Sequence, residues 1–274
     1  MEDYILTADA GGTKTAWRMD GPGGVVSRAT TAGINPFLME SDDVIHLIGK
    51  ELLAVPGFDH ADIIRFYGAG CRGRQCDRMT AALRAIWPAA NITVGSDIVG
   101  AAHALLGEDG SGIACILGTG SNSCLWIGGQ VVSNIPPLGY VLGDEGSGAV
   151  LGRRLVGDVL KHQLPDRLCE DFWAYCGLSS EEMIERVYRQ PMPNRFLASF
   201  APFLSCRLEK EEQLRQLVDE EFARFFVRNV EPYHRVDLPV SFVGGVAWAF
   251  RSELKRVANS MGYQVGRIMR SPLD

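Results

Sequence analysis

Asp9-Ala10-Gly11-Gly12-Thr13-Lys14-Thr15 stands between two apolar runs, Tyr4 to Ala8 ahead of it and Ala16 to Met19 behind it. Apolar run, tight glycine turn and second apolar run read as strand, hairpin tip and strand. Two adjacent glycines let main-chain N–H groups converge without side-chain obstruction, Thr13 adds a hydroxyl and Lys14 a fixed positive charge. That is the donor set a polyphosphate needs, and Asp9 stands where a magnesium ion or its water could be held. The loop is not a Walker A, because a threonine rather than a glycine precedes the lysine and a strand rather than a helix follows. An ordinary Gly-Gly hairpin with polar residues in solvent would look the same at this level, so the surroundings have to decide.

Working outward, Gly24 to Thr31 reads as a third strand, and Gly33-Ile-Asn-Pro closes it with Asn35 on a loop. Ser41 to Ala54 carries apolar residues at helical spacing, with Ser41 as its N-cap. Strand 63–68, helix 76–87, strand 92–95 and helix 98–106 follow. Three antiparallel strands are thus succeeded by alternating helix and strand. The order then recurs: an apolar run at 112–117, the polar glycine loop Gly118-Thr-Gly-Ser-Asn-Ser, a second run at 124–127, and Gly128-Gly leading to Val131-Val-Ser. The first half offers a Gly-Thr loop, Trp17, Gly23-Gly and Val25-Val-Ser; the second offers Gly-Thr, Trp126, Gly128-Gly and Val131-Val-Ser. This repetition predicts a duplicated fold. Residues 147–231 read as helical, with an N-cap at Ser179 and Phe222, Phe225 and Phe226 as core. Strand 239–243, a Gly244-Gly245 turn, helix 248–260 and strand 263–269 complete the second copy.

The 274 residues suit two domains of ordinary size, and 46% hydrophobic with 22% charged residues places the chain among globular α/β proteins. A formal net charge of −6 argues against nucleic acid or an anionic membrane as the main partner, since there is no basic excess to release counterions. No secretory signal or membrane-length apolar run is visible. Seven cysteines without a C-x-x-C read as buried, reduced thiols in a cytoplasm.

Several motifs could carry chemistry. Gly68-Ala-Gly-Cys-Arg-Gly73 matches a dinucleotide fingerprint, but three antiparallel strands precede it and Asp97 lies beyond the usual spacing, so it reads as a strand-to-helix turn near the ligand. Gly118 to Ser123 is a second donor-rich loop, and two such hairpins could grip a polyphosphate from opposite sides. Gly143-Asp-Glu-Gly-Ser-Gly148 opens a helix. Asp97 ends a strand and starts a helix; a capping role and a role as proton acceptor for a hydroxyl weigh equally there.

Taken in order, the Asp9 to Thr15 stretch, Ser96-Asp97, Leu117-Gly-Thr-Gly-Ser-Asn, Gly143-Asp-Glu-Gly-Ser-Gly and Val243-Gly-Gly resemble the sugar kinase, heat-shock chaperone and actin superfamily. Within it the chain looks most like the N-acetylglucosamine kinases and the related BadF/BadG/BcrA/BcrD-type ATPases. The resemblance implies an α/β fold of duplicated ribonuclease H-like (actin-like ATPase) domains closing around ATP: 1–108, and 109–274 with a helical insertion at about 150–235. Carried over by residue, Gly11, Gly12, Thr13 and Lys14 would bind ATP as the first phosphate loop and Gly118, Thr119 and Gly120 as the second, with Gly244 and Gly245 near the adenosine. Asp97 would be the catalytic base, Asn35, Asp97, Asn122 and Asp144 would meet the sugar, and Asp9 would hold Mg2+.

Leu138-Gly-Tyr stands where animal relatives carry an aromatic residue, and the chain stops at Pro272-Leu-Asp where relatives continue into a closing helix. The implied function is ATP-dependent phosphorylation of an amino sugar, N-acetylglucosamine at O6. Its rivals are a reductase-activating ATPase of the BadF type and a non-catalytic sugar sensor. The partner is a small-molecule sugar, with no nucleic acid or membrane, and a homodimer is a candidate assembly.

Overall fold

The computed structural model describes residues 3–11 and 14–274. Its contacts divide the chain into two compact units, one of 1–104 with 272–274 and one of 105–271. The first unit opens with strands β1 (Ile5–Ala10), β2 (Lys14–Gly21) and β3 (Gly24–Ala32). Helix α1 (Ser41–Leu47) runs on into a π-helical turn, Ile48–Leu52, and is followed by β4 (Ile63–Gly68), α2 (Arg74–Ile86), β5 (Asn91–Gly95) and α3 (Asp97–Leu106), whose last turn crosses the unit boundary. The sheet order is β3-β2-β1-β4-β5, with β4 and β5 parallel to β1.

Alternation along β1 and β2 assigns the faces. Leu6, Ala8, Ala10, Trp17 and Met19 are buried and join one core with Val44, Ile48, Leu52, Met79 and Leu83 from the helices. Thr7 and Asp9 therefore lie on the opposite face. Complete burial of a side chain like Leu6 contributes about 1.5–3 kcal/mol. Trp17 also needs a polar partner when buried, and its Nε1–H donates to Thr31 Oγ1 at 2.9 Å.

The second unit repeats the plan with β6 (Ser111–Leu117), β7 (Ser121–Ile127) and β8 (Gln130–Ile135). The helical segment holds α4 (Gly139–Leu142), α5 (Gly148–Leu160), α6 (Asp166–Cys176), α7 (Ser180–Tyr188), α8 (Pro193–Ala198), α9 (Ala201–Ser205) and α10 (Glu212–Phe225). A π-helical turn (Phe226–Val230) and a 3-10 turn (Glu231–Tyr233) end it, before β9 (Val240–Val243), α11 (Gly245–Ala249), α12 (Arg251–Ser260) and β10 (Val265–Met269). The sheet order β10-β9-β6-β7-β8, read from its other end, is the order of the first unit. Phe172, Phe203, Phe222, Phe225, Phe226, Phe242 and Phe250 sit in its core, so the three phenylalanines of the long amphipathic run are packing residues as their spacing predicts. Ser179 caps α7 as its sequence indicates, its hydroxyl accepting the Glu182 N–H at 3.2 Å while Glu182 accepts the Ser179 N–H at 2.8 Å.

The duplication is real, and one detail of the matching changes. The β2–β3 register slips by one residue between Met19 and Asp20, leaving Val26 unpaired, and the β7–β8 register slips between Leu125 and Trp126, leaving Val132 unpaired. Val-Val-Ser in each half is thus the same β-bulge. The tryptophans are not equivalent. Trp17 pairs opposite Ala29, two residues before its bulge, whereas Trp126 follows its bulge and donates Nε1–H to Gly107 O at 3.0 Å.

Other expectations move by a residue or more. Glu40, not Ser41, is the N-cap of α1, its N–H donating to Asp43 Oδ2 at 3.4 Å. The α-helix of α1 ends at Leu47, α2 begins at Arg74, and Asp97 is already helical. Of the seven free thiols four are buried, Cys76 and Cys176 are half-buried, and Cys206 is exposed.

Candidate active site

In the first unit the parallel strands β1, β4 and β5 end together, with Ala10 opposite Gly68 and Tyr67 opposite Gly95. Connections leaving that edge are where ligands gather in open α/β sheets. Asp9 is the next-to-last residue of β1 and Lys14 the first of β2, so both lie on strands rather than on the loop. The Gly11 N–H donates to Lys14 O at 3.0 Å and is spent in closing the turn. Gly12 and Thr13 lie outside the described residues. Thr15 is structural: it is fully buried, and its Oγ1 accepts the Ile34 N–H at 3.0 Å.

Asp97 follows β5 and caps α3 from within, its Oδ1 accepting the Ile98 N–H at 2.9 Å. Burial raises its pKa, while the Ile98 N–H and the Arg72 charge pull it back. Asp9 is raised to about 6, first by burial and then by the charge of Asp97, with Lys14 opposing. Two carboxylates therefore share this edge, and the charge of Asp97 acts on Asp9.

The turn after β4 lies beside them. Cys71 is buried, its thiol pushed up to about 12 by burial and by the neighbouring Cys76 and Asp97, while Arg72 next to it is exposed. Arg72 is the charged neighbour of Asp97 that sequence reasoning passed over, although it lies within the Gly68 to Gly73 motif. The same geometry explains Gly70. It has φ +90°, and a Cβ there would stand 2.3 Å from Asn35 Oδ1, so the glycine makes room for Asn35 rather than for a pyrophosphate. That Asn35 oxygen also accepts the Phe37 N–H at 3.0 Å.

In the second unit the corresponding edge carries a shorter loop than the sequence suggests. Only Gly118, Thr119 and Gly120 are outside strands; Ser121, Asn122 and Ser123 belong to β7 and are buried. Gly118 N–H donates to Gly120 O at 2.9 Å, and the carbonyls of Gly118 and Thr119 accept Gly148 and Ala149 N–H at 2.8 and 3.1 Å. Among the described residues the N–H groups of Thr119 and Gly120 engage no partner, leaving two adjacent donors for an anion. Gly244 packs on the same turn: at φ +128° it lies so close that a Cβ would meet Leu117 O at 2.3 Å and Gly118 N at 3.4 Å. Gly245 begins α11.

Asp144 adopts φ 55°, and its Oδ1 accepts the Ser121 N–H at 3.2 Å. Burial raises its pKa against that hydrogen bond. Its carboxylate lies against Gly120, where a Cβ would approach Oδ2 to 3.0 Å. Asn122 Oδ1 accepts Ser123 N–H and Asn134 Nδ2–H, each at 2.9 Å, so its oxygen is already committed. The glycines of the 143–148 motif do more than cap, because a Cβ on Gly143 would stand 2.1 Å from Pro137 O. Ser147 is the N-cap of α5, accepting the Val150 N–H at 3.2 Å.

Among the described residues no group of three or more His, Cys, Asp or Glu side chains could by itself hold a metal ion, and no helix is long and apolar enough to cross a membrane.

Two units of one sheet order, each with glycine-bearing turns at the C-terminal edge of its parallel strands, define the duplicated ribonuclease H-like fold of the actin-like ATPases. Comparison with known proteins agrees. A solved structure of a candidate N-acetylglucosamine kinase from Porphyromonas gingivalis is 44% identical, covers 98% of this chain and 95% of its own, and superposes with a TM-score of 0.93. A second such candidate, from Chromobacterium violaceum, shares the fold at 20% identity and TM-score 0.76 over 96% of this chain and 94% of its own. A candidate sugar kinase from Cytophaga hutchinsonii shares it at 14% identity and TM-score 0.56 over 99% and 95%. No family profile and no curated protein matches the chain. The chain belongs to the N-acetylglucosamine kinase family.

Proposed function

We propose that the protein is an ATP-dependent kinase that moves the γ-phosphoryl group to O6 of N-acetylglucosamine. The observation that carries this reading is the pair Asp97 and Asp9 at one sheet edge, both with pKa raised first by burial and Asp9 further by the charge of Asp97. Asp97 is the base. The sugar hydroxyl oxygen forms the new bond to the γ-phosphorus, the bond to the β–γ bridging oxygen breaks, ADP leaves, and the hydroxyl proton passes to the Asp97 carboxylate. Its hydrogen bond from Ile98 fixes the carboxylate without using its second oxygen.

Thr119 and Gly120 N–H groups suit phosphate oxygens, with Gly11, Gly12, Thr13 and Lys14 as the other phosphate-binding residues of this reading and Gly244 and Gly245 as those for the adenosine. Asn35 and Asp144 are the sugar-binding groups of this reading, and Asn122 joins them through its amide nitrogen. Asp9 fits Mg2+, because a half-buried, partly desolvated carboxylate with its pKa raised to about 6 gains from a cation, and magnesium accompanying a nucleotide uses one or two carboxylates and keeps its waters. When bound, the metal neutralises charge building on the β- and γ-oxygens. The enzyme works in the cytoplasm on a small molecule, with a homodimer as the candidate assembly.

A coupled ADP-release screen over hexoses, N-acetylated hexosamines and free hexosamines tests the proposal. N-acetylglucosamine should give the fastest release. Equal release without sugar would favour a partner-driving ATPase, and sugar binding without turnover a sensor; either would overturn it.

A further inference from the structure

Glu145 adjoins Asp144, yet its carboxylate turns to the end of the helical segment. One oxygen pairs with Arg228, and Oε2 accepts Asn229 Nδ2–H at 3.2 Å. Both partners are consecutive residues of the π-helical turn Phe226–Val230. Asn229 is itself only 3% exposed and is used at its other end as well, its carbonyl accepting the Ser123 hydroxyl at 2.7 Å. Tyr233 closes the chain of contacts: its OH lies 2.8 Å from Ser123 Oγ and accepts the Ile135 N–H at 3.0 Å.

The backbone explains why Asn229 can serve both sides. In an uninterrupted α-helix its carbonyl would be taken by the N–H four residues on. Here the helix widens at Phe226 and leaves through a 3-10 turn containing Pro232, so the carbonyl is open to a side chain of β7. Single π turns recur at functional sites because they redirect groups in this way. Asp144 needs such support: a non-glycine residue at φ 55° is held there by its surroundings, and its own carboxylate in turn fixes the Ser121 N–H directly after the Gly118–Gly120 turn.

We infer that Asn229 is a positioning residue, tying Glu145 to β7 and thereby holding Asp144 and the Gly118–Gly120 turn in one geometry. Its consequence for turnover rests on the kinase reading; its consequence for the backbone does not. Asn229→Asp keeps the shape, removes the Nδ2–H donor and sets a carboxylate against Glu145. Combining it with Glu145→Gln swaps donor and acceptor and restores the hydrogen bond.

Two readouts on the intact protein separate the possibilities. Hydrogen exchange by mass spectrometry should be on the order of tenfold faster in Asn229→Asp over 118–121 and 143–148, and the double variant should return toward wild type; a tenfold change corresponds to about one hydrogen bond. Steady-state kinetics should show a sugar KM raised by a similar factor with a smaller change in kcat, again recovered in the double variant. Unchanged exchange in Asn229→Asp, or a drop in melting temperature without local exchange or KM effects, overturns the inference. If the wild type shows no sugar-dependent ADP release, the kinase reading fails by itself, and the exchange result still decides the role of Asn229.

Discussion

Replacing Asp9 by asparagine should make the ligand-free protein more stable at neutral pH while disabling it. Asp9 has its pKa raised from 3.8 to about 6 by burial and by Asp97. The folded state therefore holds a proton that the unfolded chain releases near 3.8. Stability from this group is fully present below that value and is lost as pH rises through about 6. The difference of about 2 units, at about 1.36 kcal/mol each, sets an upper bound of about 3 kcal/mol. Residual solvent contact brings the effective value nearer about 1–2 kcal/mol. Asparagine keeps the shape and cannot ionise, so Asp9→Asn should melt a few degrees above wild type at pH 7.5, at about 2–4 °C per kcal/mol for a chain of this size. Near pH 4 the two should melt together. Thermal scans across that range without nucleotide measure the difference, and adding magnesium with nucleotide should stabilise wild type much more than the variant. A gap of equal size at pH 4 and pH 7.5, or a variant less stable at pH 7.5, would refute the argument, because neither can come from an ionising buried carboxylate.

Asp97→Asn keeps an amide oxygen to accept the Ile98 N–H and removes a carboxylate that burial disfavours and whose charge acts on Asp9, so at pH 7.5 it should melt no lower than wild type, while transfer falls by about 100- to 10,000-fold in the coupled assay. Wild-type turnover there would remove Asp97 from the chemistry. Gly244→Ala forces a Cβ to within 2.3 Å of Leu117 O at a φ that L-residues avoid, and should cost on the order of 2–4 kcal/mol in chemical denaturation and raise the KM for ATP. Thr15→Val deletes the acceptor of the buried Ile34 N–H and should lose about 1–3 kcal/mol by the same measurement.

What the sequence revealed depended on whether its signal was local. Val-Val-Ser marked the bulge in each half because the bulge is made by neighbours in the chain, and helix α7 was legible from Ser179 to Glu182 for the same reason. Trp17 and Trp126 misled because composition records that a large aromatic is present, whereas equivalence depends on strand register, which the bulges shift. The second glycine loop read too long, since Ser121, Asn122 and Ser123 are polar residues that the fold buries in a strand: Asp144 takes the Ser121 N–H, and Asn134, Asn229 and Tyr233 meet the Asn122 and Ser123 side chains, while the Ser121 hydroxyl is buried without a partner among the described residues. Those partners are 11 to 110 positions away. Arg72 lies in a glycine motif whose sequence pattern speaks of the backbone, whereas its charge acts on Asp97, 25 positions later and on another strand end. Asn229 gave no sequence signal at all, because its meaning comes from Glu145, 84 residues earlier.

The two halves share a backbone plan and have divided its chemistry. Leu6, Ala8 and Ala10 face the core in the first unit, as Ile113, Cys115 and Leu117 do in the second, so Ile116 holds the place of Asp9. Likewise β5 is followed by Ser96 and Asp97, whereas β10 is followed by Arg270 and Ser271. The first unit has thus kept carboxylates at both strand ends, where desolvation raises their pKa and makes them responsive to a cation or a hydroxyl proton. The second has none at either place and instead offers the Thr119 and Gly120 N–H groups, a setting for negative charge. Phosphoryl transfer needs both properties, a base with a metal-holding carboxylate and a donor-rich seat for the leaving phosphates. On the proposed reading, in which the Gly118–Gly120 turn receives phosphate, a carboxylate at position 116 would repel that anion, so Ile116→Asp should weaken nucleotide binding. Nucleotide affinity by calorimetry measures this, and an unchanged Kd would mean that the second turn does not meet phosphate.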